Sequence, residues 1–92
     1  DAPVGVDVEV VRSAQEKFMR RVCSQQEMAC IRPGDDGDCR RFWEIWTAKE
    51  ALFKLTGKGP LLKLSRFALP ERVALDYMEK NGCALTVAAE IL

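Results

Sequence analysis

The stretch that decides the fold is WTAKEALFKLTGKG, Trp46 to Gly59, with its lead-in CRRFWEI, Cys39 to Ile45. At about 100° per residue, Phe42, Ile45, Trp46, Leu52 and Phe53 fall on one apolar face, which predicts a long amphipathic helix from about Gly37 to Thr56. Asp35, Asp36 or Asp38 can cap its start, Gly57 is a natural stop, and Pro60 bars continuation. Lys49 falls inside the apolar face. Glu50 and Lys54 lie one turn apart on a neighbouring face with Thr47 and Trp43. A helix that only has to pack does not need a lysine in its apolar stripe, so the functional reading starts from this cation and the carboxylate beside it.

The chain has 92 residues, enough for one small domain with one modest core. Fourteen basic and fourteen acidic side chains cancel, which argues against a general nucleic-acid or membrane surface. No apolar run approaches the roughly 20 residues of a membrane span. The first residue is Asp1 rather than methionine, and upstream sequence is expected. The four cysteines, Cys23, Cys30, Cys39 and Cys83, form no C-x-x-C pair, and there is no histidine, which disfavours a zinc site. Reduced, mostly buried thiols in a cytoplasmic protein are expected. Without histidine, acid–base chemistry falls to carboxylates, lysines or water.

Outward from the helix, PVGVDVEVV (Pro3 to Val11) alternates as a strand. Its valines, Val4, Val6, Val8 and Val10, are expected to face a core, with Asp7 and Glu9 side by side on the other face. Two adjacent acids repel unless a positive charge sits between them, or they simply lie in water. Ser13 to Arg21 reads as an amphipathic helix capped by Ser13 with Glu16 in the box position, and Phe18 and Val22 packing inward. Ser24 and Glu27 form a second capping box for a short helix. Arg20 and Arg21 read as a solvated face. Arg32 to Cys39 reads as a loop. Gly57 and Gly59 flank Lys58 in a turn, and Leu61 to Leu69 reads as an irregular strand. Pro70 to Lys80 suits either a strand or a helix, and Asn81–Gly82 before a strand from Cys83 to Ala89 favours a hairpin. The predicted fold is α+β: a small antiparallel sheet packed on one long helix and shorter helices, in a single domain spanning 1–92.

Set against each other, the first strand offers Asp7 and Glu9 and the helix offers Glu50, with Lys54 one turn on. Three converging carboxylates make an oxygen-only site suited to Mg²⁺ or Mn²⁺. Lys49, Lys54 and Lys58 beside them suit a metal shared with a phosphorylated ligand. Glu50 and Lys54 equally suit an i, i+4 surface pair of about 0.2–0.5 kcal/mol, and the lysines a complement to the helix C-terminus.

The motifs VGVDVE (Val4 to Glu9) and WTAKEALFK (Trp46 to Lys54), followed by GKG (Gly57 to Gly59), resemble those of the 4′-phosphopantetheinyl transferases in order and spacing. Between them, RRVCSQQE (Arg20 to Glu27) resembles that family's R-F-F-S-x-x-E segment, departing at Val22 and Cys23. LSRFAL and ALTVAA resemble later segments. The D-x-E form resembles the larger, surfactin-synthetase-activating type, whose members are pseudo-dimers, and this chain resembles their C-terminal half. The resemblance implies transfer of 4′-phosphopantetheine from coenzyme A to a serine of an acyl or peptidyl carrier protein. It implies Mg²⁺ on Asp7, Glu9 and Glu50, with Lys54 on a phosphate and Lys49 or Lys58 assisting. It also implies that Glu50, or a water on the metal, takes the serine proton. Much of the adenine and 3′-phosphate pocket lies in the N-terminal half in that type, so self-association or a missing half is expected to complete the site. The alternative is a non-catalytic half-domain that docks a carrier protein or pairs with a missing half.

Overall fold

The computed structural model describes residues 3–31, 39–57, 64–66, 69 and 72–91. In chain order the elements are β1 (Val4–Val10), α1 (Glu16–Val22), α2 (Gln25–Met28), α3 (Arg40–Thr56), β2 (Val73–Lys80) and β3 (Cys83–Glu90). The strands form an antiparallel sheet in the order β1-β3-β2, and α3 packs across one face of it. This is the expected α+β architecture. The segment before Asn81 is a strand, and Asn81 and Gly82 close a two-residue hairpin with φ of 54° and 76°. Positive φ at both positions is what the right-handed twist of the flanking strands requires. No helix among the described residues is long and apolar enough to cross a membrane.

The orientation of β1 is the reverse of the expectation. Val4, Val6, Val8 and Val10 are 58, 41, 54 and 59% exposed, while Gly5 and Asp7 are buried under α3. The cause is the closeness of the helix. A Cβ on Gly5 would overlap the carbonyl oxygen of Ala51 and stand 2.7 Å from the backbone nitrogen of Leu55. Only a residue without a side chain lets the two backbones meet there. The register places Gly5 beside Ala88 and Asp7 beside Thr86, so small side chains of β3 lie next to β1 where α3 comes closest. Valines at these positions would hold α3 away from the sheet.

The core falls into two clusters along α3. Met19, Val22, Cys23, Phe42, Trp43, Ile45 and Ala84 form one, and Ala51, Leu52 and Ala88 form the other, with Leu55, Leu64, Val73 and Leu75 against it. Thr47 lies between Trp43 and Ala51 on the helix, and Thr86 lies between Ala84 and Ala88 on the strand. Their hydroxyls meet at 2.7 Å, and the Thr47 hydroxyl also approaches the Trp43 carbonyl at 2.8 Å. Two buried polar groups thereby satisfy each other where the clusters join.

Several boundaries differ from expectation. Helix α1 begins at Glu16, and its N-cap is Gln15 with no side-chain cap, not Ser13. The backbone ahead of it is engaged elsewhere: the Trp43 indole donates to the Arg12 carbonyl at 2.7 Å, and the Cys39 thiol to the Ala14 carbonyl at 3.8 Å. Met19 rather than Phe18 joins Val22 in the core, and Phe18 is 41% exposed, its ring against Phe42 and Trp46. Helix α2 carries the expected reciprocal capping box of Ser24 and Glu27. Helix α3 begins at Arg40 behind Cys39, which is left-handed and gives no side-chain cap. The expected caps Asp35, Asp36 and Asp38 lie outside the described residues. Gly57 ends the helix in the left-handed conformation, as expected. Leu64, Ser65, Arg66 and Leu69, the described residues of the expected irregular strand, are not in a strand. The Leu64 carbonyl is taken by the Lys49 ammonium instead of a ladder partner. All four cysteines are free, but only Cys23 is buried; Cys39 and Cys83 are half-buried and Cys30 is exposed.

Candidate functional site

Asp7 reaches the helix side of the sheet because it sits two residues beyond Gly5, on the face that the close approach fixes. Lys54, in the last turn of α3, extends across to β1. Its ammonium donates to Asp7 Oδ1 at 2.9 Å and to the Val6 carbonyl at 3.1 Å. The second carboxylate oxygen, Asp7 Oδ2, is buried with no hydrogen-bond partner. Burial pushes the Asp7 carboxyl above its ordinary range, Glu9 adds to the rise, and the hydrogen bond and charge of Lys54 oppose it.

Glu50, one turn before Lys54, joins this group. Its carboxyl is also raised, first by burial and then by the charges of Asp7 and Glu9, against the pull of Lys54. Lys54 is raised in turn, chiefly by its bond to Asp7. Glu50 feels both strand acids and Asp7 feels Glu9, so the strand and helix carboxylates occupy one electrostatic neighbourhood. Glu9 is anchored by the Trp46 indole, which donates to Oε2 at 3.3 Å, and by Arg12 at 3.7 Å from Oε1. Arg12 is itself held by a bond to the Val10 carbonyl at 2.6 Å and by stacking over Trp43 at 3.9 Å.

Among the described residues no three His, Cys, Asp or Glu side chains are gathered closely enough to cage a metal as they stand. The donor set nonetheless fits a hard divalent cation. All three candidates are carboxylates, one oxygen of Asp7 is buried and unpartnered, and the Asp7 and Glu50 carboxyls are raised first by burial and then by neighbouring acids, both of which a bound cation would offset. Magnesium needs few protein oxygens and completes its octahedron with water and phosphate.

Lys49 is not in this neighbourhood. Its ammonium is buried on another side of α3, 2.8 Å from Glu27 Oε1 and 2.7 Å from the Leu64 carbonyl, with both side chains 1% exposed. Glu27 Oε1 also accepts from the Ser24 backbone at 2.8 Å, and Glu27 Oε2 is buried without a partner. The expectation that Lys49 assists at a phosphate is therefore corrected: the lysine in the apolar stripe joins α2 and the Leu64 segment to α3. Its helical phase points it away from Glu50. Lys58, the third expected phosphate ligand, lies outside the described residues. Sequence reasoning did not assign Glu27 its second role, because the S-x-x-E spacing already accounted for it as a cap. It also passed over Trp46 and Arg12 as anchors of Glu9. The signal for Trp46 was its phase, one turn ahead of Glu50 on α3.

The family model of the 4′-phosphopantetheinyl transferase superfamily matches residues 3–86. The chain is similar to the 4′-phosphopantetheinyl transferase psf-1 of Bacillus pumilus, 36% identical over 69 residues that cover 73% of this chain and 29% of that protein. It thus spans less than a third of the length of the curated relative it matches. No solved structure matches it. With a family match running from before Asp7 to beyond Glu50 and Lys54, the chain belongs to the 4′-phosphopantetheinyl transferase superfamily.

Proposed function

We propose that this chain carries the acid-and-lysine portion of an enzyme that transfers 4′-phosphopantetheine from coenzyme A to a serine of an acyl or peptidyl carrier protein. The observation that carries the reading is the meeting of Asp7 and Lys54, from separate elements, with Glu50 in electrostatic reach of both. Asp7, Glu9 and Glu50 would hold Mg²⁺. When bound, the ion would supply charge neutralisation at the pyrophosphate of coenzyme A. Lys54 would bind a phosphate oxygen. Glu50 would accept the hydrogen of the carrier serine. The serine oxygen would then form a bond to the β-phosphorus as the bond to the α-phosphate oxygen breaks, and 3′,5′-ADP would leave. Trp46 and Arg12 would keep Glu9 oriented throughout.

Incubating the chain with apo-carrier protein, coenzyme A and Mg²⁺ should add about 340 Da to the carrier, the mass of the group a metal-assisted phosphoryl transfer would move. Glu50→Ala should abolish the gain. The 29% coverage of the Bacillus relative favours a second reading, a half-domain that is inactive alone and docks a carrier protein or pairs with another half. That reading predicts no mass gain at any concentration with carrier binding intact. Sedimentation of the chain, alone and with carrier protein, shows whether a second copy is needed to complete the pocket.

A further inference from the structure

The two cations near the acids are held differently. Arg12 is fixed by stacking on Trp43 and by the Val10 carbonyl, and it only approaches Glu9. Lys54 has a half-exposed stem, and its tip lies on Asp7 Oδ1 and the Val6 carbonyl. We infer that Lys54 is an exchangeable internal counter-ion, which a divalent cation must displace from Asp7 in order to bind. The inference rests on the metal-site reading above and extends it to the order of events.

The physical reason is crowding of like charge. A divalent cation binds carboxylate oxygens at about 2.0–2.6 Å, and the ammonium already stands 2.9 Å from Oδ1. Asp7 Oδ2 is closed to solvent, so an ion arriving from outside meets Asp7 at Oδ1, and the ammonium and the ion cannot share that oxygen without strong repulsion across a small, partly buried space. The two are also chemically alike in function, since each compensates Asp7 and Glu50. Once displaced, the ammonium stays tethered one turn from Glu50 on α3. Its half-exposed stem lets it swing toward solvent, the side from which an anionic ligand of the ion would arrive. Lys54 therefore opposes the bare ion and favours the ion that carries a diphosphate. Ion binding and the freeing of a phosphate-binding lysine become one event, and the ligand recognised is a metal–diphosphate rather than either part alone.

The test is a reversal of sign. Mn²⁺ binding to the 92-residue chain is followed by the loss of its free-ion electron paramagnetic resonance signal, alone and with inorganic pyrophosphate. Lys54→Met should bind bare Mn²⁺ about 3- to 10-fold more tightly than wild type, and Mn²⁺-pyrophosphate about 10-fold or more weakly, in the range expected of a lost charge-assisted hydrogen bond. Lys54→Arg, which keeps a cation at the site, should bind the bare ion no more tightly than wild type. Circular dichroism and the urea midpoint establish that each variant is folded. A folded Lys54→Met that binds bare Mn²⁺ no more tightly than wild type overturns the displacement and leaves the metal site standing. Failure of wild type and variants alike to bind Mn²⁺ overturns the metal site and the displacement together.

Discussion

Lys49 and Lys54 belong to one helix and differ only in phase. Lys49 lies with Glu27 in the interior, where neither side chain is more than 1% exposed. Lys54 is half-exposed and reaches a carboxylate on another element. The difference teaches that a cation in an apolar stripe is not by itself a ligand-binding cation. A buried lysine has lost its hydration and must be compensated locally and permanently, so its partner is built into the fold. A lysine at the rim keeps water on one side and can change partners at low cost. The residue that looked most anomalous in the sequence serves architecture, and the one that looked like half of an ordinary surface pair reaches across to Asp7 on β1.

The sharpest way to break this contrast is to remove the interior cation. Lys49→Met should cost about 3–5 kcal/mol by leaving Glu27 buried and uncompensated. Adding Glu27→Gln, which retains an acceptor for the Ser24 backbone, should recover most of that loss. Urea denaturation of the two single variants and the double variant measures the coupling. A Lys49→Met midpoint equal to that of wild type would rule out the buried pair as a strut.

The interior side also carries its own titration reporter. Burial first, and then the charge of Glu27, push the Cys23 thiol up to about 12, with Lys49 pulling the other way. The native state therefore keeps a proton, from pH 9 up to about 12, that the unfolded chain gives up. The stability Cys23 contributes is intact below pH 9 and falls as pH rises through that window. Thermal unfolding followed against pH should show this alkaline decline, and Cys23→Ala should flatten it.

The smallest effects belong on the rim. Lys54→Met should lower the urea midpoint by less than Lys49→Met, the equivalent of about 1–3 kcal/mol, because the ammonium keeps water on one side but its partner Asp7 is buried and loses a hydrogen bond. Val8→Thr, on the exposed face of β1, should stay within about 0.5 kcal/mol. A loss from Lys54→Met as large as that from Lys49→Met would erase the contrast.

Much of the arrangement was readable from residue order. The end of α3 at Gly57, the Ser24–Glu27 box and the Asn81–Gly82 hairpin follow from local rules of period and turn chemistry, whereas the buried face of α3 departs from its expected phase, with Phe53 exposed and Trp43 and Thr47 buried. Lys49's partner was not readable, because Glu27 is 22 residues earlier in the chain, and no local pattern pairs them. The same holds for Trp46 on Glu9 and Arg12 over Trp43, which exist only once β1 and α3 are in contact.

The sequence by itself determined that Val4, Val6, Val8 and Val10 share one face of a strand and that Gly5, Asp7 and Glu9 share the other, since side chains alternate along an extended backbone. Which face meets the helix was decided only by the tertiary structure. Hydrophobicity alone favoured the valines, but α3 comes so close at Ala51 that only Gly5 fits beneath it. Steric fit between two backbones outweighed the burial of four valines, and that choice placed Asp7 under the helix beside Lys54.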